Sequence, residues 1–466
     1  MAAGYHMTPD EFRRHGHDLV EWIARYWETV EDRPITPGVA PGELRARLPA
    51  DAPTAPEPFD DVLADLDDVV MSGVTHWQSP GWFGYFPANA SFPSILGELA
   101  AAGLAQQGML WSTSPITTEL ESHVLDWLVD LLALPREWKS TGPGGGVIQM
   151  SASDATHVAL VVARHRATAA GEPVERMVAY ASQQAHSSIE KGAVVAGYGH
   201  VRLVEVDERF GMDPAALAAA MTADAGAGLL PTFVASAVGT TGTTAVDPLG
   251  AIGEVARRHG AWHHVDAAYA GTAMMCPEFR VHQPRLDLAD SYTFNPHKWM
   301  FTNFDCNVFW VADRSPLIET MSILPPYLRN AASQEGAVID YRDWHVPLGR
   351  RFRALKLWFV LRSYGVEGIQ HHVREHVRLA QDLAQRVEGH ARLDLIAPVP
   401  FALVCFSHRD GNEATDRLAA AINASGHSYV TPSTVAGTRF IRVSIGQTHT
   451  EERHVDRLWK LIDETA

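Results

Sequence analysis

From about residue 90 to residue 365, short apolar runs alternate with stretches whose apolar residues recur at helical spacing. That is the pattern of βαβ units around a mostly parallel sheet. The runs at 177–180, 201–206, 232–238, 263–266, 291–294 and 308–311 read as strands. Ahead of this region, Phe12, Leu19, Ile23, Tyr26, Trp27 and Val30 fall near one face of a helix. The proline-rich stretch 34–58 follows, so this helix does not fold back as half of a compact hairpin. The pattern fits a helical arm laid across a partner subunit. After residue 365, the runs 401–406 and 440–444 read as strands and 417–425 as a helix of a smaller α+β unit. The expected organisation is a helical dimerisation arm (1–90), a large α/β domain (91–365) and a small α+β domain (366–466). No internal repeat is found, and the alanine-rich stretch 215–227 reads as a helix and a turn.

Candidate chemistry gathers where the strands end. Ser291 to Phe294 run into Asn295-Pro296-His297-Lys298-Trp299. The proline stops the strand and leaves one amine at the mouth of the sheet, where such folds place their ligands. A lysine there is costly unless it is neutralised or used. Partly desolvated, its pKa falls, and it suits Schiff-base chemistry with a carbonyl. The preceding strand, His263-His264-Val265-Asp266, ends in an acid followed by Ala267-Ala268-Tyr269-Ala270-Gly271. Beside such a lysine, the carboxylate would keep the pyridine nitrogen of pyridoxal phosphate protonated, making the ring an electron sink. The two alanines are small enough to let a flat ring lie against the backbone.

Three further segments supply what a phosphorylated cofactor needs. Gly144-Gly145-Gly146-Val147-Ile148-Gln149 reads as a short strand, and Ser151-Ala152-Ser153-Asp154-Ala155 opens a helical pattern behind it. Small residues at a helix N-terminus leave backbone N–H groups free for an anion. The segment is neither a Walker loop nor a GxGxxG fingerprint. Gln184-Ala185-His186-Ser187-Ser188 puts an imidazole at another strand-to-helix junction, and Gly239-Thr240-Thr241-Gly242-Thr243-Thr244 offers hydroxyls beside close-approach glycines.

Composition narrows the class. A chain of 466 residues is too long for one simple core. Its 46% hydrophobic and 20% charged residues are ordinary for a soluble globular protein. The net charge of −17 argues against nucleic acid and anionic membrane surfaces as partners. The three cysteines, Cys276, Cys306 and Cys405, form no CxxC pair, so neither a disulfide framework nor a zinc site is supported, and a cytoplasmic location fits. Asp10, Glu11, Arg13 and Arg14 interrupt any apolar start, so no signal peptide is expected, and no window suits a transmembrane span.

These segments together resemble the group II pyridoxal-phosphate-dependent decarboxylases, and within them the aromatic-L-amino-acid decarboxylases. The resemblance also covers Met7-Thr8-Pro9-Asp10-Glu11-Phe12, Tyr85-Phe86-Pro87, Trp111-Ser112-Thr113-Ser114-Pro115, Thr118-Glu119-Leu120-Glu121 and Pro347-Leu348-Gly349-Arg350-Arg351-Phe352-Arg353. It implies the aspartate-aminotransferase-like architecture, fold type I of the pyridoxal-phosphate enzymes, in a homodimer with its active site near the subunit interface. By the same resemblance Lys298 is the Schiff-base lysine, Asp266 the pyridinium partner and His186 the ring-stacking histidine. Ala152, Ser153 and Asn295 match phosphate contacts, Thr241 and Ala268 line the cofactor, and His297 neighbours the lysine. Trp77, Tyr85, Phe86, Pro87, Met109, Ile116 and Gly349, with His186, match the substrate pocket. One departure is visible: Ala88 stands where animal members carry threonine.

The implied activity is decarboxylation of an aromatic L-amino acid to its amine, with Tyr327 on a polar lid taking part in protonation. An aldehyde synthase on the same scaffold is the nearest alternative, and plant enzymes of that kind typically carry phenylalanine where Tyr327 stands. A non-catalytic pyridoxal-phosphate-binding paralogue is more distant, because Lys298, Asp266, His186 and Tyr327 are all present. A hydrolase is not supported, since no GxSxG elbow occurs. Gly349 leans towards tryptophan-sized rings, but an apolar pocket separates flat rings by only ~1–3 kcal/mol.

Overall fold

The computed structural model describes residues 5–323 and 338–466. Eleven strands can be followed: β1 (Gly145–Gln149), β2 (Met177–Ser182), β3 (His200–Val204), β4 (Leu230–Ala237), β5 (Trp262–Asp266), β6 (Ser291–Phe294), β7 (Asn307–Val311), β8 (Leu393–Leu395), β9 (Leu403–His408), β10 (Thr431–Val435) and β11 (Thr438–Ser444). The first seven form one sheet in the order β1-β7-β6-β5-β4-β2-β3. Neighbours from β6 through β5, β4 and β2 to β3 run parallel, whereas β7 is antiparallel to both β6 and β1. The parallel strands β2, β4, β5 and β6 are buried almost throughout, as expected when helices cover both faces. Their carboxyl ends open on one edge of the sheet, and the site lies there.

Helices Ala152–Ala169, Pro214–Gly226 and Leu249–Arg258 pack on the sheet. The helix Ala152–Ala169 starts where Ser151 accepts the Asp154 N–H on its hydroxyl at 3.2 Å, an N-cap that fixes where β1 turns into helix. A second, antiparallel sheet in the order β10-β11-β9-β8 lies in the C-terminal part. The long helical run Arg353–Gly389 reaches it and is broken at Gly365, whose φ of +64° and ψ of 175° are not helical.

The amphipathic N-terminal pattern forms the helix Pro9–Thr29, opened by a Thr8/Glu11 capping box. It is tied to its own chain at several points. His15 lies 3.3 Å from an Asp60 carboxylate oxygen, Trp22 Nε1 donates to Asp67 at 3.0 Å, and Tyr26 Oη is 3.1 Å from His76 Nδ1. Yet Phe12, Leu19 and Val20 stay exposed, as do Phe92, Leu96 and Leu99 of the helix Phe92–Leu104. Between these helices runs an apolar groove of about 790 Å³. No described helix is long and apolar enough to cross a membrane.

Candidate active site

A cavity of about 180 Å³ opens at the carboxyl ends of the strands, and all of the residues singled out as cofactor contacts line it. Ala152 and Ser153 reach it from the start of the helix after β1, His186 from the loop after β2, and Gly239 to Thr241 from the loop after β4. Asp266 and Ala268 approach from the end of β5, and Asn295, His297 and Lys298 from the end of β6. Phe86 closes one wall.

Lys298 sits on the short helix Pro296–Trp299, its backbone N–H donating to Asn295 O at 3.0 Å. Desolvation lowers its pKa and Arg442 pushes the same way, while Asp266 opposes the shift. Its Nζ is 5.3 Å from the centre of the Phe86 ring. Asp266 accepts the Ala268 N–H on Oδ1 at 2.9 Å, and no hydrogen bond among the described residues ties its Oδ2. A carboxylate held by one oxygen, with the other left to the cavity, suits a cationic ring nitrogen.

His186 has an edge open to solvent, but the walls around its ring and the Lys298 charge lower its pKa, with Asp266 opposing. Its Nδ1 accepts the Ser188 N–H at 3.2 Å, which places the proton of the neutral ring on Nε2. His297 is buried and accepts the Cys306 N–H on Nδ1 at 2.9 Å. Burial, helped by Lys298, pushes its pKa down to about 3, so it stays neutral.

The phosphate end can be tested on the same atoms. Asn295 is buried and its Oδ1 accepts from Asn307 Nδ2 at 2.7 Å, which orients the amide so that its own nitrogen is an unused donor among the described residues. The first backbone N–H groups of the helix after Ser151 have no intrahelical acceptor. Amide and backbone donors and a carboxylate oxygen with no hydrogen bond among the described residues line one cavity, so the residues present fit a phosphorylated, nitrogen-bearing ring.

The candidate substrate residues divide. Phe86 lines the cavity, whereas Trp77, Tyr85 and Pro87 lie outside its lining, and the exposed Tyr85 ring stacks on Trp77 at 5.6 Å. Met109, Ile116 and Gly349 belong to a second cluster. Met109 O accepts the Arg342 N–H at 3.1 Å, a Cβ on Gly349 would come within 3.2 Å of Gln107, and one on Gly108 within 2.4 Å of Thr117, next to Ile116. Tyr327 lies outside the described residues.

Ser151, Ala237, Gly239, Thr240 and Tyr269 also line the cavity; all but Ala237 belong to the segments singled out from the sequence, without being named there as contacts. Tyr269 is buried and stacks on Phe86 with ring centres 3.9 Å apart. Its signal was its place three residues after Asp266. Arg442, on β11, lies with its guanidinium 5.2 Å from the Phe86 ring, and no local pattern marks it.

Strand ends that bring a buried amine, an acid and an anion-binding helix start to one cavity define a pyridoxal-phosphate enzyme of fold type I. The chain belongs to the pyridoxal-dependent decarboxylase family, whose conserved-domain model matches residues 41–409. It is 43% identical to a phenylacetaldehyde synthase of Arabidopsis thaliana over 99% of this chain and 96% of that protein. It is 42% identical to tryptophan decarboxylase 2 of Oryza sativa subsp. japonica over 99% and 95%. The crystal structure of Oryza sativa TDC with PLP and tryptamine superimposes with a TM-score of 0.97 at 40% identity, covering 99% of each chain.

Proposed function

We propose that the protein decarboxylates an aromatic L-amino acid to its amine and carbon dioxide, using pyridoxal 5′-phosphate. The observation that carries this reading is the lowered amine of Lys298 sharing one cavity with the singly tied carboxylate of Asp266. The names of the similar proteins, two of them acting on or holding indole compounds and one named for a phenyl product, support an aromatic substrate. When bound, the cofactor supplies an aldehyde that condenses with amines and a protonated ring that accepts the electron pair of the bond broken.

The chain's own residues then have distinct tasks. Lys298, its pKa lowered by burial, would hold the cofactor through its amine. Asp266 keeps the ring nitrogen charged through its free oxygen. His186, neutral with its proton on Nε2, lines the cavity and would flank the ring. Asn295 and the N–H groups at Ala152 and Ser153 hold the phosphate, and Thr241, Ala268 and His297 complete the cradle. Tyr327, an ionisable group where aldehyde-forming plant relatives typically carry phenylalanine, donates the proton that completes the amine. This favours amine over aldehyde as product, although the Arabidopsis relative is an aldehyde synthase by name.

The working unit in this reading is a homodimer. The exposed stripes flanking the 790 Å³ groove are unsatisfied in a single chain and suit a second copy of the arm. A dimer also explains why Met109, Ile116 and Gly349 cluster apart from Trp77, Tyr85, Phe86 and Pro87: each site takes one group from each subunit. We retain the division into arm (1–90), large domain (91–365) and small domain (366–466). Three buried free cysteines suit the cytoplasm as its location.

The test is Lys298→Ala. The variant should release no carbon dioxide, and borohydride reduction should fix the cofactor covalently to wild type but not to the variant. Near-wild-type turnover by Lys298→Ala would remove the lysine from the chemistry.

A further inference from the structure

Tyr85 has a φ of +54°, a conformation that a tyrosine adopts only when its surroundings impose it. Its surroundings here belong to the C-terminal sheet. Thr431 on β10 accepts the Tyr85 N–H on its hydroxyl at 2.8 Å, and Arg442 on β11 donates from Nη2 to Tyr85 O at 3.3 Å. The same guanidinium donates from Nε to Gly242 O at 3.1 Å, next to Thr241. Arg442 is only 4% exposed, and no ion pair with an acid holds it among the described residues. Its buried donors are therefore spent on two backbone carbonyls, one at Tyr85 and one in the loop lining the cavity.

We propose that Thr431 and Arg442 are positioning residues that set the aromatic face of the site by clamping Tyr85 in its left-handed conformation. The inference rests on the reading that the substrate is aromatic. Its geometric content is the turn between two neighbouring rings. With Tyr85 clamped, the Phe86 ring faces the cavity beside Lys298, while the Tyr85 ring stacks on Trp77 with an interplanar angle of 17°. Tyr85 remains 49% exposed on that stack, one residue along the chain from the Phe86 wall of the cavity. Releasing either hydrogen bond lets the backbone relax towards an extended conformation, which turns one ring out of place. The small domain thereby governs how the substrate ring is received without touching the reacting atoms.

The clamp is tested with Thr431→Val, which keeps shape and removes the acceptor, and Thr431→Ser, which keeps the acceptor. Loss of one hydrogen bond predicts an about two- to tenfold rise in KM for the aromatic amino acid. Turnover at saturation and cofactor affinity should stay within about twofold, a split that general loosening of the fold would not give. Binding of 2-phenylethylamine, read by calorimetry, should weaken by the same factor, and Thr431→Ser should restore both. Arg442→Gln should in addition weaken cofactor binding, because it frees Gly242 as well. Amide hydrogen exchange at Tyr85 should quicken in Thr431→Val. Unchanged KM and amine affinity in Thr431→Val, or no rescue by serine, overturns the proposal. If wild type handles no aromatic amino acid, the substrate reading falls, and exchange at Tyr85 alone decides the clamp: faster in the variant upholds it, unchanged refutes it.

Discussion

Lys298 shows which effect wins when a lysine is buried near an acid. Asp266 favours the ammonium, yet desolvation outweighs it and the pKa falls. Asp266 itself is free to act on a ring nitrogen because only one of its oxygens is committed within the chain. Asp266→Ala should therefore cut turnover by roughly 10²–10³-fold or more, the scale of losing a major electrostatic stabiliser. Steady-state kinetics with saturating cofactor checks this, and a change of only a few-fold would mean that another group protonates the ring. Lys298, Asp266, His186 and Asn295 were legible in the sequence because each lies at the end of a strand or within four residues after it, where a parallel sheet presents side chains to a ligand. Arg442 and Thr431 were not. They meet Tyr85 across about 350 residues of chain, and a contact of that range has no local signature.

At the scale of elements, the parallel strands were readable because burial on both faces makes them continuous apolar runs. The observed ends of β2 and β4 differ from the reading by one or two residues. β8 and β10 went unread for a physical reason. They are the two edges of the small sheet; β8 has three residues, and Thr431-Pro432-Ser433-Thr434 of β10 looks like a loop by composition. The arm's end is fixed to the C-terminal helix Glu452–Thr465 through Glu31, which pairs with Arg453 and lies 3.2 Å from His454 and 3.3 Å from Arg457. The Arg453 guanidinium, hydrogen-bonded to it, is the main cause that lowers the Glu31 pKa to about 2 from an ordinary 4.5. A depressed carboxylate stabilises the fold fully above its unfolded pKa and loses that contribution as pH falls from about 4.5 towards 2. The arginines are solvent-exposed, so the expected worth is at most about 1 kcal/mol. Glu31→Gln should raise hydrogen exchange in the arm modestly at pH 7, and its difference from wild type should shrink below pH 4.5. A difference that persists unchanged into strong acid would place the effect elsewhere.

At the scale of the whole molecule, the apolar arm and the two separated clusters of candidate substrate residues both ask for a second copy. Deleting the first thirty residues should give monomers or aggregates with little activity, and a fully active monomer in sedimentation would refute the exchanged arm. The overall architecture was legible because strand and helix periodicities alternate over most of the chain. The separation of Met109, Ile116 and Gly349 from the cavity was not, since a sequence aligns residues with a pocket without saying whether one chain brings them together. The central claim is that this scaffold makes an amine. Purified wild-type protein with pyridoxal phosphate should be given tryptophan, 5-hydroxytryptophan, tyrosine, dihydroxyphenylalanine, phenylalanine and glutamate under air, with carbon dioxide, amine, aldehyde and peroxide all measured. Carbon dioxide and amine should appear in equal amounts from at least one aromatic substrate, with no peroxide and no turnover of glutamate. Aldehyde and peroxide in place of amine, or no carbon dioxide from any aromatic substrate, would contradict it.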